Sequence, residues 1–343
     1  MDSITQFVLG AALGELVAGK KIGSKAILWG GVAGTIPDLD ILFNPFFTEL
    51  QKLSVHRGIS HSLVFAFGVA PLMAWLMRKL YWKKPEITFR IWLDIFFIGI
   101  FTHPLLDAFT LYGTQLFLPF SDYRVALNSI AIVDPGYTLP LLLGITGAMV
   151  VRRKNRILSY KINIVGFILA HIYFLFTIGN KFYVNQKFEA ALAKQHLLPN
   201  GYLSNPVIFS NLLWCAVAKD DSICYIGYYS ILQDKPTIQF DAFKRNEHLL
   251  TKIKDREGVA KLRWFSKDYF VVEEKNDSLA FYDVRFGKSN FTPNLDNEKT
   301  FLFYFKIIDK DSQPVQIQQY ISRKDMNFSE FMAQLKHRIL YVD

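Results

Sequence analysis

The first half of the chain is built from apolar stretches long enough to enter a bilayer, and nothing else restricts its fold as strongly. Six can be drawn, at about residues 4–19, 22–43, 60–82, 88–111, 133–151 and 157–180. Hydrocarbon offers the backbone no water to bond to, so such stretches close their own hydrogen bonds as helices. A core about 30 Å thick asks for roughly 20 residues each, and several of the six are near the lower limit. Aspartates and histidines interrupt them. Asp38 and Asp40 lie in Pro37-Asp38-Leu39-Asp40, His56 and His61 in His56-Arg57-Gly58-Ile59-Ser60-His61, and His103 and Asp107 in His103-Pro104-Leu105-Leu106-Asp107. Ionisable groups at membrane depth are costly and read as functional by default. Gly10-xxx-Gly14 and Gly30-xxx-Gly34 are packing motifs that let helix backbones approach closely in lipid.

The basic residues orient the chain. Lys20, Lys21 and Lys25 surround the first turn-around; Arg78, Lys79, Lys83, Lys84 and Arg90 the third; Arg152, Arg153, Lys154, Arg156 and Lys161 the fifth. With six alternating spans these groups share one face, and the opposite loops carry only Lys52, Arg57 and Arg124. Basic loops stay cytoplasmic, so both termini are expected outside. Asp2, Asp38, Asp40, His56, His61, His103, Asp107, Asp122 and Asp134 then gather at the outer face. The net charge of +9 is thereby assigned to membrane topology, and no nucleic-acid partner is expected.

Residues 181–343 mix charged, polar and apolar types in the usual way. Alternation in Ile223–Tyr229, Asp268–Val272 and Phe301–Phe305 reads as strand, and 328–340 as a closing amphipathic helix. The expected fold is thus an α-helical integral membrane domain of about six spans (1–180), followed by a smaller extracytoplasmic β-rich or α+β domain (181–343). Cys215 and Cys224 could close a hairpin-like loop as a disulfide in an oxidising compartment, or stand as two buried thiols. The chain's start lacks a basic n-region, so no cleaved signal peptide is expected.

Carboxylates and neutral imidazoles together suit a divalent ion such as zinc, manganese or iron. His103 and Asp107, four apart, share a helical face. The candidate metal ligands are Asp38, Asp40, His56, His61, His103 and Asp107, enough for one ion or two. Each group also has a structural reading: a helix cap, an interfacial histidine, a buried pair locking two helices. Arg57 and Arg124 suit an anionic substrate or pairing with Asp122 or Asp134. Tyr112-Gly113-Thr114-Gln115 follows the fourth span and is placed to shape the mouth of a site. Asp94 and His171 read as packed polar groups with structural partners.

Asp2-Ser3-Ile4-Thr5-Gln6, Gly34-Thr35-Ile36-Pro37-Asp38-Leu39-Asp40, His56–Ser62, His103–Asp107 and Tyr112–Gln115 occur in an order that resembles a known family. It is the bacterial and archaeal family of membrane-bound metal-dependent hydrolases, also described as LexA-binding, inner-membrane-associated hydrolases. The resemblance covers about the first 150 residues. It implies a multi-pass plasma (bacterial inner) membrane protein and a hydrolytic reaction without naming a substrate. Many members carry Thr-His where this chain has Thr5-Gln6, which implies that one histidine ligand is missing or replaced by an amide oxygen.

The expectation is a metal-dependent hydrolase at the outer membrane face, with zinc or manganese as cofactor and a phosphoester or lipid-linked substrate drawn from the lipid bilayer. Asp40 and His61 would be catalytic as well as ligands, and Arg57 would steady an anionic transition state. One rival is a metal-free histidine phosphohydrolase using the His103/Asp107 spacing. Another is a non-enzymatic membrane receptor or scaffold in which the polar cluster only locks helices.

Overall fold

Asp2 starts the first helix, α1 (Ser3–Ile22): its carboxylate accepts from Thr5 N–H, satisfying an end group that the helix itself cannot. Gly23 ends it with φ +69° and donates its N–H to the Gly19 carbonyl, after which α2 (Ser24–Thr35) turns back along α1. The two helices can lie this close because Gly10 and Gly30 face one another. A Cβ on either would fall inside the other's carbonyl oxygen, as the small-residue spacing anticipates.

The computed structural model describes residues 1–233, 238–288, 301, 303–309, 315–321 and 328–341. These divide into two units. Met1–Phe46, Ser54–Gly179 and Ile208–Ser210 form the first; Phe47–Leu53, Asn180–Val207 and Asn211–Asp343 form the second.

In the first unit a run of tight 3-10 turns over Ile36–Phe46 continues α2. Beyond α3 (Glu49–Val55), most of which belongs to the second unit, a further 3-10 turn, Ile59–His61, leads to α4 (Leu63–Leu80), which Ser62 caps by accepting from Phe65 N–H. Then come α5 (Phe89–Asp107), α6 (Pro135–Val151, capped by Asp134) and α7 (Arg156–Lys194), whose residues from Asn180 on belong to the second unit. Ala66, Ala70 and Ala74 form a small-residue stripe on α4 that packs into the same core as Trp92, Ile95 and Phe96 of α5. A second core joins Leu9 and Leu13 of α1, Leu106 of α5, Tyr137 and Leu141 of α6, and Ala170 of α7.

All six expected segments are helical, but four are long and apolar enough to cross a bilayer: Ser24–Phe46, Leu63–Leu80, Phe89–Asp107 and Arg156–Lys194. Pro135–Val151 is apolar but short, and α1 carries Gln6, Glu15, Lys20 and Lys21, which lower its hydropathy. Val165, Ile168, Leu169, Ile172, Leu175 and Phe176 stand exposed along α7, the surface a helix would offer to lipid.

Among its described residues the second unit holds two antiparallel sheets of four strands. The first is β1 (Gly201–Pro206), β2 (Leu213–Lys219), β3 (Ile223–Ser230) and β4 (Phe240–Lys244); the second is β5 (Phe270–Lys275), β6 (Ser278–Asp283), β7 (Phe303–Ile308) and β8 (Gln316–Ile321). Both run in sequence order, with α8 (Arg256–Ser266) preceding β5 and α9 (Phe328–Leu340) following β8. The expected strands and the closing helix are present, although Leu302 lies outside the described residues.

The disulfide reading does not hold. In the β2–β3 ladder Cys215 sits opposite Tyr228 and Cys224 opposite Lys219. Four ladder positions at about 3.3 Å each separate the two thiols by roughly 13 Å, too far for a bridge. Both are buried thiols.

Candidate metal centre

Three turns of chain bring the expected cluster together. Ile36–Phe46 carries Asp38 and Asp40, both buried, while their neighbours Leu39 and Ile41 are exposed. The His56–His61 loop folds back through Arg57, held at φ +59°. That backbone conformation is strained for a residue with a Cβ. It lets Arg57 N–H donate to Asp40 Oδ2 at 3.1 Å, and the Arg57 carbonyl accept from Gln115 N–H. The C-terminal turn of α5 adds His103 and Asp107 on one face, both without solvent exposure.

The centre of the cluster is a set of facing donor atoms. His61 Nε2 and His103 Nε2 are 3.1 Å apart. Asp38 Oδ1 lies 3.4 Å from each of them, and Asp107 Oδ2 lies 3.6 Å from His61 Nε2 and 3.8 Å from His103 Nε2. Ligand bonds of about 2.0–2.1 Å in a tetrahedral zinc site imply ligand–ligand edges of about 3.3–3.4 Å. The two imidazoles and Asp38 have that spacing, and Asp107 is slightly wider.

Hydrogen bonds on the far sides of the rings decide what faces inward. His103 Nδ1 is 2.6 Å from the Gly34 carbonyl. A carbonyl only accepts, so Nδ1 carries the proton and Nε2 presents a lone pair. His61 Nδ1 is 2.9 Å from Ser60 Oγ, which is itself 2.9 Å from Asp40 Oδ2. The charged carboxylate is the stronger acceptor, so Ser60 donates to Asp40 and His61 Nδ1–H donates to Ser60. Both Nε2 atoms then face each other bare. Burial lowers His61 to about 4, partly opposed by Asp38, which keeps its imidazole neutral at physiological pH. Neutral imidazoles tethered through their other nitrogen are the usual form of metal-bound histidine.

Charge accounting points the same way. Arg57 Nε lies 3.0 Å from Asp107 Oδ2, and His56 Nδ1 lies 3.1 Å from Asp40 Oδ1. Asp38 accepts from Ser3 Oγ at 2.7 Å, but among the described residues no lysine or arginine pairs with it. The group Asp38, His61, His103, whose ligand atoms all lie within 4.8 Å of one another, is thus a buried anion beside two lone pairs. Such a group is costly without a cation.

The remaining expected ligands stand one step out. Asp40 is occupied by Arg57 N–H, Ser60 and His56, and acts on His61 through Ser60. His56 is partly exposed and meets Tyr112 edge-on, the ring centroids 5.7 Å apart. The paired-arginine reading also changes. Arg57 binds Asp107 and Thr110 Oγ1 rather than Asp122 or Asp134. Arg124 donates to the His56 carbonyl at 2.7 Å, and the two guanidinium groups flank the Tyr112 ring at 4.9 Å each.

Gln6 turns its amide nitrogen, not its oxygen, to the cluster, donating to Asp107 Oδ1 and to the His103 carbonyl. The Met1 α-amino group also pairs with Asp107. Gln115 donates from its side chain to the Ser54 carbonyl. Asp2 and Asp134 are helix caps, the latter also accepting from Tyr173. Asp122 is exposed, Asp94 pairs with Arg90 at the surface, and His171 bonds to the Phe167 carbonyl. Ser3, Ser60, Thr110 and the Gly34 carbonyl belong to the site but were not anticipated. Ser60 sits inside the His56–His61 motif, one residue from a proposed ligand, and that adjacency was the available signal.

The family described as YdjM inner membrane protein matches residues 1–182. The inner membrane protein YbcI of Escherichia coli strain K12 is 31% identical over 123 residues, which are 35% of this chain and 69% of that protein. The uncharacterized protein YfhP of Bacillus subtilis strain 168 is 29% identical over 147 residues, 39% of this chain and 42% of that protein. No solved structure matches the chain.

Proposed function

The chain belongs to the YdjM inner membrane protein family, and on that footing we propose that it is an inner-membrane, metal-dependent hydrolase acting on a phosphoester of a lipid or lipid-linked molecule at the outer face. One observation supports this more than the rest: two imidazole Nε2 atoms 3.1 Å apart, each with its proton committed elsewhere, beside the buried carboxylate of Asp38. Two neutral nitrogens and a carboxylate fit zinc or manganese. Asp38, His61 and His103 would hold the ion, and Asp107 would approach as a fourth donor. A divalent ion there would supply Lewis acidity and acidify water near neutral pH.

The chain's own groups have separate tasks. The Gly34 carbonyl and the Ser60–Asp40 pair fix the tautomers and orientations of His103 and His61. Arg57 acts through Asp107, holding it against the imidazoles. This makes Arg57 a positioning residue, in place of the substrate clamp read from the sequence. Asp38, Asp40 and His56 form the side of the cluster nearest solvent, with exposed Leu39, Ile41, Leu42 and Phe43 beside them. That apolar rim suits a substrate with acyl chains. The outer placement and the extracytoplasmic second domain rest on the distribution of lysine and arginine.

A second reading requires Ser60 to turn its proton from Asp40 Oδ2 to His61 Nδ1. If Ser60 instead donates to His61 Nδ1, a proton on His61 Nε2 can bond to His103 Nε2 across the same 3.1 Å. The cluster then only locks helices. The test is metal analysis of the detergent-purified full chain beside Asp38→Ala, His61→Ala and His103→Ala, followed by phosphodiester hydrolysis with and without chelator. The hydrolase reading expects metal near one equivalent per chain in wild type, its loss in the three variants, and chelator-sensitive turnover. Wild-type protein without divalent metal, or variants that keep it, would overturn the reading.

A further inference from the structure

The opposite end of the helical unit holds a second polar feature that the hydrolase reading does not use. Counting along α1 from Gln6 to Lys20 at about 1.5 Å per residue, it lies roughly 20 Å from the metal centre. The ends of α1, α2, α6 and α7 and the residues before α5 enclose a cavity of about 720 Å³. Lys20, Lys21, Lys25, Lys84, Arg152, Arg153 and Arg156 line it, against the single acid Glu86. Basic loops alone explain cations at a membrane face, and α1 gains from Lys20 and Lys21 at its C-terminal end. Neither explains why cations from three separate turns of the chain converge on one concavity.

Arg152 is already committed, to buried Glu15 at 2.6 Å and to the Gly19 carbonyl at 2.6 Å. Among the described residues no ion pair engages Lys20, Lys21, Lys25, Lys84, Arg153 or Arg156. Lys20 and Lys25 instead lie over the rings of Tyr160 and Tyr81, at 4.4 and 4.6 Å. Gly23 and Ser24, at the N-terminus of α2, complete the wall. They add the positive end of a helix dipole.

We propose that this cavity binds the phosphate headgroup of an anionic phospholipid. A phosphate diester supplies the missing negative charge and several acceptor oxygens at once. The apolar surface beside the cavity selects lipid over a soluble anion, because Val150, Ile157 and Leu158 stand exposed next to Met149, Arg153 and Arg156. Basic pockets between membrane helices hold headgroups in this manner.

The test uses the full chain in neutral detergent, with native mass spectrometry and thermal unfolding as readouts. Dioleoyl phosphatidylglycerol should stay bound and raise the unfolding temperature, whereas dioleoyl phosphatidylcholine and millimolar inorganic phosphate should do neither. The double variants Lys25→Gln/Lys84→Gln and Arg153→Gln/Arg156→Gln should each weaken phosphatidylglycerol binding roughly tenfold. Lys187→Gln, elsewhere on the chain, should not. Unfolding without lipid checks that each variant is folded, and either double variant suffices if the other fails. Equal retention of the two lipids, or undiminished binding in a folded double variant, overturns the proposal. Inorganic phosphate competing as well as the lipid would overturn the lipid assignment.

Discussion

Asp38→Asn separates a metal centre from a helix lock, because the two predict stability changes of opposite sign. The carboxylate is buried, accepts one hydroxyl, and faces two imidazole nitrogens at 3.4 Å without a cationic side chain. If those nitrogens are bare, apo protein gains by losing the charge. Metal-free Asp38→Asn should then unfold at or above the apo wild-type temperature. Adding zinc or manganese reverses the order. A ligand at a hundredfold excess over its dissociation constant stabilises the folded state by about 2.7 kcal/mol. For a unit of this size 1 kcal/mol moves the midpoint by about 2–4 °C, so wild type should rise by about 5–10 °C and Asp38→Asn by much less. His56→Asn is the internal control. His56 touches Asp40, not the facing nitrogens, so that variant should keep most of the rise. The assay is thermal unfolding in detergent after chelation, with metal titrated back. The reasoning fails if neither ion moves wild type, if Asp38→Asn responds equally, or if apo Asp38→Asn is clearly the less stable.

Four further outcomes follow from named contacts. Ser60→Ala removes the link from Asp40 to His61 Nδ1 and should weaken metal binding about 10–100-fold, read by competition with a chromophoric chelator. Gly30→Ala sets a methyl against the Gly10 carbonyl, which is backbone and cannot rotate away. It should cost about 1–3 kcal/mol in detergent unfolding. Arg152→Ala strands buried Glu15 and should cost about 3–5 kcal/mol by the same measurement, with Glu15→Gln/Arg152→Ala recovering part of it. Burial pushes the Cys215 thiol up to about 12 and Cys224 up to about 11, from an ordinary value of 9.0. Native protein at pH 8.5 should therefore resist iodoacetamide at both, whereas denatured protein takes two adducts by mass spectrometry. Between about pH 9 and 11 the unfolded chain releases thiol protons that the folded chain retains, so stability should fall as pH rises through that window.

The helices were legible because length and apolarity declare them, and the cluster because aspartate and histidine are conspicuous in apolar surroundings. Strand positions were legible from alternation, but strand register was not. Spacing in sequence made a Cys215–Cys224 bridge plausible, whereas only the ladder shows each thiol facing a different partner. Among the six hydrophobic runs four are long and apolar enough to cross a bilayer; the others are set apart by the short length of Pro135–Val151 and by Gln6, Glu15 and two lysines in α1.

Asp38 and Asp40 are identical residues two positions apart on one run of turns, yet their surroundings differ. Asp38 meets the imidazoles because Ser3 and α5 lie on its side. Asp40 is withdrawn from them because Arg57 N–H, Ser60 and His56 claim its oxygens. That capture depends on Arg57 adopting φ +59°, a conformation costing on the order of 1–3 kcal/mol for a non-glycine residue. The glycine next to it, Gly58, would take such an angle far more easily. Arginine is found there because its side chain then reaches Asp107 and Thr110 while its N–H reaches Asp40. One strained residue thus fixes two carboxylates in different roles. Arg57→Gly would relieve the strain and keep the N–H that Asp40 accepts, while Asp107 would lose the guanidinium and retain the Met1 α-amino group and Gln6 as partners.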